Sequence, residues 1–268
     1  MELDLNGFNA DSLVQMLKAS FTLENWDSML IIADRLYTEV NTFYKMNQQE
    51  RIGEKRVSCF GLTRNIVYYF GYSMCLKGIA FEKLGRYNEA RECIAIYKDL
   101  GWIRGIDADG QEEVNYYREI AKGNQYIIEL NEGNVSVLPD YLAFLRNTRE
   151  EMMPGVLYIL DSAIKYRFSV DHVLEEFSEQ ITAMAEYYEI QRNIRYYIDY
   201  SYLKARYFSI NDKVDDALII IVQSLATSVK LKDDRGFKKL AALFETLRGQ
   251  ATSEQLDKYL GIMKSILD

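Results

Sequence analysis

Two kinds of side chain in this sequence have the type and spacing to recognise another molecule. The first is tyrosine, present 21 times, with adjacent pairs at 68–69, 116–117, 187–188 and 196–197. Neighbouring side chains on a helix point about 100° apart, so one ring of each pair can pack inward while the other faces a groove or solvent. Tyrosine brings apolar area and a hydroxyl at little entropic cost, which suits a peptide-binding surface. The second is arginine: Arg192, Arg195 and Arg206 share one helical segment, and a guanidinium forks onto a carboxylate, including a peptide C-terminus. Asn65 adds an amide able to pair with the backbone of an extended strand. Extended along helices, these positions give a candidate peptide-binding set of Asn65, Tyr69, Tyr72, Tyr116, Arg192, Arg195, Tyr202 and Arg206, with Asp199 beside the arginines.

Bond-making chemistry is not expected. The sequence carries no GxSxG, P-loop, HExxH or dinucleotide fingerprint, so no catalytic residue is assigned and no cofactor is expected. Cys59, Cys75 and Cys93 lack CxxC spacing, and Cys75 and Cys93 fall on apolar helical positions as buried thiols do. His172 is the single histidine and has no second His or Cys at ligand spacing. Asp107 and Asp109 alternate as in a calcium loop, but the remaining ligand positions and the terminal glutamate are missing. Residues 101–110 therefore read as a connector, and no metal site is assigned.

Charge narrows the partners. Against 32 Lys and Arg stand 40 Asp and Glu, a net charge of −8, without the clustered basic face that phosphate binding needs. Direct nucleic-acid binding by this chain is not expected. No run approaches the roughly 18 apolar residues of a membrane span, and the N-terminus lacks the basic and apolar regions of a signal peptide, so the expected location is the cytoplasm. With 49% hydrophobic and 27% charged residues and only 2 prolines, the composition is that of a helix-rich globular protein.

The elements that must position these residues follow a repeated ruler. Gly78, Phe81, Leu84-Gly85, Tyr87, Ala90, Ile94 and Tyr97 place small residues where two antiparallel helices meet, bulky ones between them, and glycine at the turn. Ala205, Phe208, Asp212, Val214, Ala217, Ile221 and Ser224 repeat the spacing, with Asn211-Asp212 in place of the glycine. This is the pattern of a tetratricopeptide (TPR) hairpin. Around it the sequence predicts helices at 9–20 (capped by Asn9 or Asp11), 26–46 (Asn25), 55–84, 87–100, 112–130 and 135–147 with Pro139 in its first turn. Further helices are predicted from Pro154 to about 167, from a Ser169 or Asp171 cap to 188, and at 191–210, 213–230, 235–248 and 253–267 (Thr252 or Ser253). The expected fold is all-α: about six TPR-like antiparallel hairpins in a right-handed superhelix, one domain over 1–268, its first helices lining a concave face.

Taken together, the chain resembles the TPR regulator region of Gram-positive bacterial helix-turn-helix transcription factors, related to the peptide-responsive Rap, NprR, PlcR and PrgX proteins. The resemblance rests on residues 72–90, on Leu138-Pro-Asp-Tyr141, on Val173-Leu-Glu-Glu-Phe-Ser178, and on Asp233-Asp-Arg-Gly-Phe237 with Leu243-Phe-Glu245. It implies a sensor domain that captures a peptide or protein segment and regulates transcription. Such regulators carry a DNA-reading domain ahead of the repeats, and the 25 residues before Trp26 do not match one. DNA binding and Rap-type phosphatase activity are therefore not carried over to any residue here. The alternative is a stand-alone TPR scaffold that assembles proteins or homodimerises, for instance through the terminal helix 255–267.

Overall fold

The computed structural model describes residues 5, 7–50, 62–183 and 194–267, without the side chains of 49, 50, 194 and 195. Helices account for the regular structure, and no strand occurs among the described residues. The chain divides into two compact units, Met1–Glu129 and Leu130–Asp268.

In the first unit, α1 (Ala10–Thr22) starts at Asn9, whose side chain accepts from the Ser12 amide at 2.9 Å. Helix α2 (Trp26–Glu50) starts at Asn25 in the same way. It continues to Glu50, past the predicted end at 46. Helix α3 spans Ile66–Lys83, α4 Tyr87–Lys98 and α5 Ala108–Asn131. Of the helix predicted over 55–84, residues 55–61 lie outside the described residues and 62–65 are not helical: Asn65 is the cap, its side chain accepting from the Val67 amide at 3.0 Å. α1 packs on α2, α2 along α3 and α3 on α4. Phe70 sits in the core between α2 and the 99–107 connector, its ring 5.3 Å from Tyr37, 6.0 Å from Tyr44 and 5.2 Å from Trp102.

In the second unit a short 3₁₀ turn leads into α6 (Leu138–Asn147), followed by α7 (Arg149–Tyr166) and α8 (Asp171–Glu176), with further helix at 178–183. Then come α9 (Ile194–Ile210), α10 (Val214–Leu231), α11 (Asp234–Leu247) and α12 (Ser253–Lys264). Two expectations are corrected. Pro154 does not open α7 but lies in its second turn, where its missing N–H forfeits one helical bond. Neither Ser169 nor Asp171 caps α8. Both instead surround the Tyr207 hydroxyl, which accepts from the Val170 amide at 3.0 Å and donates to Asp171 at 3.3 Å. Thr252 caps α12 in a reciprocal box with Gln255.

One turn joins four of these helix pairs. A residue with left-handed backbone ends the first helix: Glu24 (φ 54), Gly85 (φ 72), Asp212 (φ 60) or Lys232 (φ 56). The next amide then bonds the carbonyl five residues back: Asn25 to Ser20, Arg86 to Phe81, Lys213 to Phe208 and Asp233 to Ser228, at 2.8–3.0 Å. This closure satisfies a helix-end carbonyl and lets the next helix begin at once. The predicted contact residues Ala90, Ala205 and Ala217 are fully buried. A Cβ on Gly78 would meet Cys93 Cβ at 3.2 Å and the Ala90 carbonyl at 3.6 Å.

Candidate functional site

The N-terminal turns of α1, α3 and α5 are tied together by side chains, and that knot accounts for two of the sequence-predicted site residues. Tyr69 is fully buried. Its hydroxyl accepts from the amides of Thr63 (3.1 Å) and Arg64 (3.2 Å) and donates to the Asp11 carboxylate. Thr63 adds a hydroxyl bond to Asp11 at 2.7 Å. Burial alone would raise the Asp11 pKa, but the bonds from Tyr69 and Thr63 outweigh it and hold the carboxyl below its ordinary value. Tyr69 is pushed up by burial and by its bond to Asp11. Asn65 donates to Asp107 Oδ1 at 3.0 Å, and the same oxygen receives the Gly110 amide at 2.9 Å. Asp107 is thus a helix cap shared between two elements, which is why an aspartate stands there. Asn65 and Tyr69 are both engaged in holding helix starts.

Outward from this knot the surface changes character. Arg64, Tyr68 and Tyr72 lie four residues apart, so they share one stripe leading into and along α3. The Arg64 guanidinium lies 3.9 Å over the Tyr68 ring, and the Tyr68 and Tyr72 rings stack at 5.2 Å with planes 18° apart. From α5, Glu113 accepts from Arg64 at 3.1 Å. Burial holds the Glu113 carboxyl above its ordinary value despite that cation. One turn further, Tyr116 is 51% exposed while Tyr117 is buried, the split expected of an adjacent pair. Tyr117 reaches α3 because Gly71 has no side chain: a Cβ there would lie 2.1 Å from the Tyr117 ring. The Tyr117 hydroxyl donates to the Tyr68 carbonyl at 3.1 Å. Tyr72 is half-buried, and burial raises its pKa, so it stays protonated. Among the described residues its hydroxyl makes no hydrogen bond. Arg64 and Glu113 were not singled out in the sequence, although the Arg64, Tyr68, Tyr72 spacing of four was there to be read.

In the second unit, Tyr202 and Arg206 lie on α9. Tyr202 is half-buried, with Lys239 Nζ 5.4 Å from its ring centroid, and Arg206 is exposed. Asp199 pairs with Lys239 at 2.9 Å. The Arg195 side chain and all of Arg192 lie outside the described residues, as do Cys59 and the 187–188 tyrosines. His172 is exposed on α8, and Cys93 is buried, its thiol pushed up to about 11 mainly by that burial.

Among the described residues no cluster of His, Cys, Asp and Glu could hold a metal ion, and no helix is long and apolar enough to cross a membrane. Comparison with protein-family models, with curated proteins and with solved structures gave no match.

Proposed function

We propose that the chain is a TPR-type binding protein whose first helices present a groove to a peptide or protein segment, acting as the sensor part of a bacterial transcription regulator. Catalysis has no place in this reading. The observation that carries it is the Arg64–Tyr68–Tyr72 stack with exposed Tyr116 beside it. Tyr68 is buried in the core, so half-buried Tyr72 and exposed Tyr116 are the rings this stripe offers for recognition. The two hairpins with one ruler and one turn support the repeat architecture. A fluorescence-anisotropy screen of a random peptide library against the wild type and a Tyr72→Ala/Tyr116→Ala variant tests it. The best binders should weaken at least about tenfold in the variant. Unchanged affinity removes this stripe from the reading.

A scaffold reading is favoured by the C-terminal end, where Leu260 on α12 and Ile266 and Leu267 just after it are exposed. A stable dimer in light scattering that Leu260→Lys/Leu267→Lys dissociates, together with no peptide bound, would make assembly the function instead.

A further inference from the structure

The class of ligand side chain follows from how the two units treat their own cations; the argument rests on the peptide-binding reading above. In the second unit, Lys239 on α11 sits 2.9 Å from Asp199 and 5.4 Å from the Tyr202 ring centroid, both on α9. In the first unit, Arg64 sits 3.1 Å from Glu113 on α5 and 3.9 Å over Tyr68 on α3. Twice, then, the first helices of consecutive hairpins hold a cation between a carboxylate and a tyrosine face. A desolvated ring and a carboxylate reinforce each other for this purpose.

In the first unit the internal cation covers only one end of the arrangement. Arg64 is itself 54% exposed and stacks on Tyr68, leaving Tyr72 and Tyr116 further along the same face. Glu113 is 19% exposed and, among the described residues, accepts one hydrogen bond, from Arg64 at 3.1 Å, on a single carboxylate oxygen. An acidic ligand group would meet a half-buried carboxylate of its own sign. The net charge of −8 adds long-range attraction for cationic segments. We infer that this face takes a lysine or arginine side chain of the bound segment, its charged head against Glu113 and its stem across Tyr72 and Tyr116.

The test uses fluorescein-labelled decapeptide pools, identical except for a fixed central Arg, Lys, Glu or norleucine, titrated with the full chain. The Arg and Lys pools should bind at least about tenfold tighter than the Glu pool. They should lose about tenfold in Glu113→Gln and severalfold in Tyr116→Leu, an exposed position where folding is not at risk. Glu113→Lys, which places at 113 the residue type of Lys239, should move preference toward the Glu pool. Pools that bind without regard to charge, or an Arg pool indifferent to both Glu113→Gln and Tyr116→Leu, overturn the cation assignment and leave peptide binding standing. If no pool of any charge binds, the binding reading falls and this inference with it.

Discussion

The hairpin of α3 and α4 and the hairpin of α9 and α10 are the same object built twice, and their differences separate what packing dictates from what it leaves open. Phe81 corresponds to Phe208, Gly85 to Asp212, Ala90 to Ala217 and Ile94 to Ile221. Lys77 and Arg86 flank the Phe81 ring at 5.6 and 4.4 Å, while Lys204 and Lys213 flank Phe208 at 5.6 and 5.3 Å. Even the following helix begins alike, with Asp107 bonding the Gly110 amide at 2.9 Å and Asp233 the Gly236 amide at 3.1 Å. Between those fixed points the units diverge. Helix α10 runs to Leu231, whereas α4 stops at Lys98 and an irregular segment follows. Gly105 there has left-handed φ, and Trp102 turns back onto Phe70 and Tyr44. On the outer face, Glu113 stands in one unit where Lys239 stands in the other. Where the cores differ they exchange one apolar residue for another, whereas here the surface reverses the sign of a charge.

The largest expected effects test the equivalence directly. Ala90 and Ala217 are both fully buried at a helix crossing. Ala90→Trp and Ala217→Trp should each cost about 3 kcal/mol, and by similar amounts, in urea unfolding. One position that tolerates tryptophan would break the correspondence. Gly71 and Ile198 occupy matching places but solve the crossing oppositely. Gly71 admits the Tyr117 ring, while Ile198 fills the space over Gly236, where an added Cβ would lie 2.3 Å from its Cγ2. Gly71→Ala should therefore cost about 3 kcal/mol through overpacking, and Ile198→Ala about 2–4 kcal/mol through a cavity.

These positions show how far the sequence could be read. The all-α class and the two hairpins were legible because burial imposes small residues at crossings, and a spacing of three and four survives as a pattern. The starts of α3 and α8 were not. They depend on which of several polar residues finds a partner distant in sequence: Asn65 on Asp107, Tyr69 on Asp11, Tyr207 on the Val170 amide and the Asp171 carboxylate. Tyr69 and Tyr72 show the same limit for the site. Both are tyrosines on one helix, yet one is consumed by a helix-start network and the other stacks beside Arg64. Single-residue chemistry does not distinguish them, because the distinction is made by α1 and α5.

An intermediate effect separates the units by pH. The Tyr69 hydroxyl joins α1 to the start of α3, and Tyr69→Phe leaves two backbone amides without their acceptor, costing about 1–3 kcal/mol at neutral pH. Asp11 is held below its ordinary pKa, so the stability it contributes is present above about 3.9 and is lost as pH falls through the depressed folded value. The stability gap between wild type and Tyr69→Phe, measured by urea midpoint, should therefore narrow as pH is lowered through this window. A gap that is constant with pH would mean that Asp11 does not carry the charge in this network.

The smallest effect sharpens the comparison most, because it lies where the two hairpins chose different residues for one backbone. Gly85 and Asp212 both adopt left-handed φ, at 72° and 60°, and both precede the amide that closes the turn. An L-residue pays for that conformation through contact of its Cβ with the following carbonyl, and aspartate pays less than most because it can bond locally. No atom lies within 4 Å of a Cβ built on Gly85, so neighbours do not forbid a side chain there; only the backbone does. Gly85→Asp should lower stability by about 0.5–1 kcal/mol, and Asp212→Gly should raise it by no more than that, since glycine also loosens the unfolded chain. Thermal melts of the two single variants and the exchanged double variant resolve these shifts. If the turns are one structure, the double variant returns close to the wild type. If Gly85→Asp costs several times more than Asp212→Gly gains, the first hairpin needs its glycine for a reason beyond the turn, and the correspondence holds only for the helices.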